Sequence, residues 1–333
     1  MRNVKLMLVG LLLTIVSGCG APDAELVVYS ARNEPLIKPM FDRFTEETGI
    51  KVVFVTDKAE VLMQRLQAED NNTPADVLLT VDAGNLWWAT QNDLLQPLQS
   101  AVLTANIPDY LRDPEDRWFG LSVRARTIVY SPERADARML NSYEGLADPM
   151  WRGRLCLRTS KKVYNQSLVA MLIAEHGEAK TEQIVKGWVA NLAADVFAND
   201  TAVIEAIAAG QCDVGIVNTY YFGRLERDNP ELPVKIFWAN QGSGGVHVNV
   251  SGGGVVRDAR HVENATRLLE WLSAGEAQSM FAGSNLEFPA NPAIAADPAV
   301  AAWGEFEASR LSLARAGELQ SAAVRLMDRA GYR

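Results

Sequence analysis

Three tyrosines are the residues of this chain whose type and spacing could do chemistry. Tyr220 and Tyr221 are adjacent, and Tyr164 precedes them by 56 residues. The pair follows an apolar, strand-forming run that ends at Val217 and Asn218, which places it at the carboxyl end of a parallel strand. Tyr164 follows another such run, 154–158, and a polar loop, so it belongs on the same edge of the same sheet. Ligands of open α/β sheets gather at that edge. A phenol with an ordinary pKa of about 10 is neutral until something displaces its proton. On residue types alone two readings stand: packed aromatics with wetted hydroxyls, or three oxygens converging on a cation.

The remaining motifs carry less. No CxxC and no Cys/His cluster is present, so the cysteine spacing does not suggest a zinc site. His176, His247 and His261 fall at helix ends, in loops or beside a strand and read as exposed or structural. The glycines at 242–245 and 252–254 lack the lysine and Ser/Thr of a phosphate loop. No nucleophile elbow surrounds any serine, and Trp87 and Trp88 read as packing residues.

The elements that must position the tyrosines are strands alternating with helices. Strands at 26–29, 52–55 and 76–81 are separated by amphipathic helices from Glu34 to Gly49 and at 58–69, which predicts a parallel sheet covered on both faces. A long extended run at 118–131 interrupts the alternation. A second α/β series follows: a strand at 154–158, helices at 165–176, 181–193 and 201–209, then a strand at 212–217. Another extended run, broken by Gly242, Gly244, Gly245 and Gly252 to Gly254, occupies 234–256, and helices return at 262–273, 275–282 and in the tail. Two extended runs between two α/β series predict two lobes joined by crossing strands, with a hinged cleft between them. The lobes are expected at 24–125 plus 248–295 and at 126–247 plus 296–333.

With 333 residues, two lobes are comfortable. The chain carries 32 Lys+Arg against 41 Asp+Glu, a net charge of -9. That excludes nothing about cations but argues against nucleic acid, whose binding needs a large basic patch. Residues 1–18 read as a lipoprotein-type signal peptide: Arg2 and Lys5, an apolar stretch, then Val16-Ser17-Gly18 before Cys19. The expectation is export, with lipid attached to Cys19 and anchorage at the periplasmic or cell-surface side of a membrane. Its removal takes two positive charges and moves -9 to -11. Cys156 and Cys212 lie in strand-like runs that could be sheet neighbours. A bridge and two buried thiols are both open.

Several segments together resemble the ferric-iron-binding, extracytoplasmic solute-binding proteins of ABC importers. They are VYSARNE at 28–34, ADVLLTVDAGN at 75–85, RAR at 124–126, RTSKKVYN at 158–165, VNTYYFG at 217–223 and EWLSAGEAQ at 270–278. The resemblance covers nearly the whole chain after the signal. It implies a two-lobed type II periplasmic-binding-protein fold, a monomer working with a membrane permease, and no catalytic turnover. It also implies Fe³⁺ held by Tyr164, Tyr220 and Tyr221, since a small, hard, triply charged ion prefers anionic oxygen.

Three phenolates cancel the charge of Fe³⁺ without filling an octahedron. Relatives often supply a first-lobe histidine, tyrosine or glutamate, but the matching positions here are Asn33, Glu34 and Asp82. Either Glu34 or Asp82 binds iron directly, or an exogenous anion such as carbonate or bicarbonate completes the sphere. The anion is the favoured completion, held by Arg124, Arg126 and Arg32, with Arg124 the one expected to touch it. The competing functions are a binding protein of the same fold for a small anion or cationic organic solute, and a secreted enzyme with Asp82 as base.

Overall fold

The computed structural model describes residues 25–333. The signal segment 1–18 and Cys19 lie outside the described residues. The first lobe opens with β1 (Leu26–Ser30), α1 (Glu34–Thr48), β2 (Val52–Thr56), α2 (Ala59–Glu69), β3 (Val77–Thr80), α3 (Ala83–Gln91) and α4 (Ala101–Asn106). The long strand β4 (Phe119–Tyr130) leads into the second lobe. There the chain forms β5 (Leu155–Cys156), α5 (Val163–His176), α6 (Glu178–Ala190), α7 (Asp200–Ala208), β6 (Val214–Asn218), α8 (Thr219–Asp228) and β7 (Lys235–Phe237). It returns through β8 (Val248–Val255) to α9 (Val262–Leu272), α10 (Gly275–Gly283) and β9 (Phe288–Pro289), and finishes with α11 (Pro298–Ala301) and α12 (Ala314–Arg329).

Local sequence explains these elements. In α1, Ile37, Met40, Phe41 and Phe44 are buried at helical spacing, and Gly49 ends the helix with φ 72°, a left-handed cap that glycine adopts without strain. β1 pairs in parallel with β2 and β3, and β5 in parallel with β6. β8 runs antiparallel to both β3 and β4, so the sheet is mixed rather than wholly parallel. The strand order is β2-β1-β3-β8-β4-β6-β5.

β4 belongs to both lobes. Its residues Phe119 to Ala125 pair with β8, and Arg126 to Tyr130 pair with β6. The hydrophobic cores follow the same division: one gathers Leu26 to Ala125 and Val246 to Ala290, the other Ile128 to Ile216 and Ala316 to Tyr332. Helix α12 touches α5 of one lobe and α3 of the other. Its Gly317 sits so close to Trp87 that a Cβ would fall 2.3 Å from the Trp87 Cβ.

Of the two breaks expected in the run 234–256, the first is present and the second is not. The extended run 234–256 is two strands, because Gly242, Gly244 and Gly245 adopt φ values of 73°, 106° and 84° and turn the chain between β7 and β8. Gly252, Gly253 and Gly254 do not break β8 but lie inside it. A Cβ on Gly254 would approach the Arg117 carbonyl oxygen to 2.2 Å, so the strand needs glycine for close backbone approach. Cys156 and Cys212 form a disulfide with Cα atoms 5.9 Å apart, tying β5 to the turn before β6. No helix among the described residues is long and apolar enough to cross a membrane.

The starts of α5 and α8 are fixed from behind by Arg126, which is 2% exposed. Its guanidinium pairs with the fully buried Asp200 at 2.9 Å. It also donates to Asn165 Oδ1 at 2.6 Å, Asn218 Oδ1 at 3.1 Å and the Ile216 carbonyl at 3.1 Å. Asn165 follows Tyr164, and Asn218 precedes Tyr220, so one side chain sets both tyrosine-bearing helix starts. Arg126→Met would leave Asp200 charged, buried and without its main partner. The expected loss is about 3–5 kcal/mol of unfolding free energy, read from urea denaturation; an unchanged midpoint would refute this role.

Candidate metal centre

The phenols meet at two helix N-termini of the second lobe. Tyr164 lies in the first turn of α5 and Tyr220 and Tyr221 in the first turn of α8. Neither Lys162 nor Asn218 caps its helix through the side chain, so unpaired N–H groups and the positive helix ends face the same region. The Tyr220 and Tyr221 rings lie 4.4 Å apart, tilted by 33°. The Tyr220 hydroxyl accepts from Asn218 Nδ2 at 3.3 Å and interacts with the Tyr164 hydroxyl. All three rings line one interlobe cavity of ≈ 270 Å³.

Burial dominates the acidity of these phenols. It pushes Tyr164 above the ordinary range, with Arg124 opposing. It pushes Tyr220 further up, helped by the neighbouring Tyr164 and Tyr221. Without a metal both are neutral phenols at any physiological pH.

Cations surround the phenols. Arg124 lies 5.2 Å and Lys162 5.0 Å from the Tyr164 ring centre. Arg158 lies 5.5 Å from Tyr164 and 5.9 Å from Tyr221. Arg224 lies 5.2 Å from Tyr220 and 5.7 Å from Tyr221. Arg158 has Asp200 at 3.6 Å as a counter-charge. Lys162 and Arg224 are in no ion pair among the described residues, and Arg224 donates across the cleft to Asn285. The Arg158 Nη1 and Arg124 Nε donors are buried with no hydrogen-bond partner.

The first lobe supplies the opposite wall. Arg32 donates to Ser251 at 3.0 Å and to Glu287 at 3.2 Å. Burial alone would raise the Glu287 carboxyl, but Arg32, Arg124 and bonds from Ser122 and Asn285 outweigh it and hold it below the usual carboxylate range. Arg124 shares Ser251, at 3.2 Å, so the two arginines are tied together at the floor.

The structure therefore brings Tyr164, Tyr220, Tyr221, Arg124 and Arg32 together on one cavity. It does not bring Arg126 there, because that guanidinium is consumed by Asp200 and the two asparagines. Asp82 is not on the cavity wall either. It caps α3 through the Gly84 amide at 2.8 Å and accepts from Ser167 at 3.0 Å and Asn249 at 2.9 Å. Burial raises its pKa, with Arg124 and these donors opposing. Glu34 is exposed on the first turn of α1 and faces an outer pocket beside Asp57; Asn33 reaches the cavity wall in its place.

Sequence reasoning missed Arg158, Lys162, Arg224 and Glu287. Arg224 was findable, since it stands one helical turn after Tyr220 and shares its face. Glu287 left no local signal, for its partner Arg32 is 255 positions away.

Known proteins resemble this chain over most of its length. Residues 39–308 match the family of bacterial extracellular solute-binding proteins. Iron uptake protein A1 of Synechocystis sp. is 41% identical over 336 residues, covering 96% of this chain and 93% of that protein. A Trichodesmium protein (IdiA, FutA), solved with iron and citrate, superposes with a TM-score of 0.90 at 41% identity, over 93% of this chain and 100% of that one. The ferric iron-binding protein A of Mannheimia haemolytica, in an open conformation, gives a TM-score of 0.85 at 35% identity, over 92% and 98%. The two lobes, the shared strands and the cleft are thus the type II periplasmic-binding architecture, and this chain belongs to the bacterial extracellular solute-binding protein family.

Proposed function

We propose that this chain is the iron-binding component of an ABC importer, without catalytic turnover. It captures Fe³⁺ between its lobes and presents it to a membrane permease. The observation that carries the reading is the convergence of Tyr164, Tyr220 and Tyr221 on one cavity at two uncapped helix N-termini. Fe³⁺ displaces the three phenol protons, and the resulting phenolates are stabilised by the helix ends and the surrounding cations. The relatives named for iron uptake and iron binding support this cargo.

An exogenous anion such as carbonate completes the sphere. Three phenolates neutralise Fe³⁺, which leaves Lys162 and Arg224 without counter-charge. Arg124 is the cation placed to hold the anion from the hinge side, and Arg32 stiffens it through Ser251. Export on the signal 1–18 and a lipid on Cys19 place the protein at a membrane outside the cytoplasm. Direct ligation by Asp82 or Glu34 has less support, since one is spent on capping and the other faces away.

Ferric ion added to apo-protein should give a visible phenolate-to-iron charge-transfer band. Tyr164→Phe or Tyr220→Phe should abolish or shift it and lower affinity at least ~100-fold, beyond the loss typical of outer-sphere changes. Bicarbonate should tighten binding in the wild type and have little effect in Arg124→Gln. A colourless mixture would sink tyrosine ligation, and anion binding retained in that mixture would favour a small-anion carrier.

The phenols also fix the pH dependence. Burial holds the Tyr164 and Tyr220 protons on in the apo-protein, and they leave only with iron, so acid competes with the metal. Apparent affinity should fall as pH drops, by up to about a thousandfold per unit if three protons are released. Competition against a chelator of known protonation, scanned from about pH 8 to about pH 6, measures the slope. A flat profile is incompatible with neutral phenols in the apo-protein.

A further inference from the structure

A second group of metal-compatible side chains lies at the far end of α5. Glu144 opens the short helical turn Glu144–Ala147, while Glu175 and His176 stand in the last turn of α5. One ligand atom from each lies within 4.8 Å of the others. His176 Nε2 is 2.5 Å from a Glu144 oxygen and 3.8 Å from a Glu175 oxygen. Among the described residues the only cationic partner of either carboxylate is this histidine. Asn240 fixes the Glu144 carboxylate by donating to both oxygens, at 3.3 and 3.1 Å.

An independent observation points to a missing ligand. Behind Glu175 is a cavity of ≈ 10 Å³, also lined by Tyr143, Gly245, Ser309 and His247. That is about the space of one water or one ion. His247 is 4% exposed, and its Nδ1 is buried with no hydrogen-bond partner. Buried polar atoms are almost always paired, so an orphan ring nitrogen calls for an explanation. Gly244, at φ 106°, keeps space beside the carboxylate: a Cβ there would come within 3.3 Å of Glu175 Oε1.

We propose that Glu144, Glu175 and His176 form a second metal site, for a divalent ion of the zinc type, distinct from the ferric cleft. Imidazole with carboxylate oxygens suits Zn²⁺, whereas Fe³⁺ prefers the phenolates. Bonds of about 2.0–2.2 Å put tetrahedral ligands about 3.3 Å apart. His176 and Glu144 therefore part by under an ångström, Glu175 closes by less, and the fourth position goes to water. The two sites lie at opposite ends of one helix, separated by twelve residues or about 18 Å. The ion would clamp the end of α5 to the Glu144–Ala147 turn, whose Glu144 is already bonded to Asn240 in the loop that leads to the crossing strand β8.

The proposal is independent of the iron reading, and the test separates them. Zn²⁺ alone is titrated into the full-length apo-protein by calorimetry, with Co²⁺ as a spectroscopic substitute. One equivalent is expected to bind, and to remain bound in Tyr220→Phe and in the ferric-loaded protein. His176→Ala should abolish it, and Glu144→Gln or Glu175→Gln should each weaken it at least ~10-fold. Co²⁺ should show the intense visible bands of a four-coordinate site, lost in His176→Ala. Zinc binding that survives His176→Ala, or that disappears in Tyr220→Phe, overturns the proposal, as does no binding at micromolar zinc. Because these side chains are partly exposed, the variants should keep the wild-type melting temperature in the absence of metal.

Discussion

The site depends on one buried ion pair that never touches the cavity. Arg126 and Asp200 are both nearly inaccessible, and desolvating such a pair is costly unless every remaining donor and acceptor is used. Here the two Nη groups of Arg126 also donate to Asn165, Asn218 and the Ile216 carbonyl, leaving Nε as its one unpaired donor, while Asp200 accepts the Asn218 amide at 3.0 Å. The asparagines adjoin Tyr164 and Tyr220. Two helices that start at different places in the sequence are thereby set in one geometry, and the phenols need no loop to order them. The Cys156–Cys212 bridge ties β5 to the segment before β6, at the end of β6 opposite the tyrosines.

Arg126 is also the point where the lobes meet. Its carbonyl accepts the Tyr143 hydroxyl, and that hydroxyl accepts the His247 amide at 3.0 Å, so the two crossing strands are joined at the level of the pin. Arg126 N in turn donates to the His247 carbonyl at 3.0 Å. Sliding of one crossing strand past the other would break all three bonds. The first-lobe wall must therefore approach the tyrosines as a unit, carrying Arg32, Ser251 and Glu287 already bonded to one another.

Much of this was legible in sequence, for identifiable reasons. The tyrosines could be placed because ligand edges follow from strand direction, and strand direction follows from alternating strands and helices. The lobe division could be placed because a long extended run without a neighbouring helix has few other uses. Partner choice was not legible. Arg124 and Arg126 are two residues apart on one strand, a spacing that puts them on the same face, but the strand changes partner between them, from β8 at Arg124 to β6 at Arg126. Which of them faces the cavity depends on Asp200, Asn165 and Asn218, far away in sequence. Asp82 looked like a free acid because a cap and two long-range donors leave no local trace. Gly252 to Gly254 looked like a break because a close backbone approach from Arg117 and Phe119 cannot be read from the strand itself.

The charge of the chain takes on a different meaning once the cavity is known. The acidic surplus of -9 is a property of the whole molecule, whereas the cleft is lined by arginine, lysine and neutral phenol. A bare trivalent cation approaching such a cleft meets repulsion, and among the described residues that line it the only carboxylate is Glu287, which is already bonded to Arg32. The wall is built for anions until the phenols ionise, and they ionise only in contact with the metal. On the proposed reading, iron therefore enters more readily in company with an anion than alone, and Lys162 and Arg224 are the side chains that first meet it. On the same proposed reading the tyrosines supply negative charge when the cargo arrives, so one cavity would serve both the empty and the loaded state without carrying an unpaired negative cluster in either.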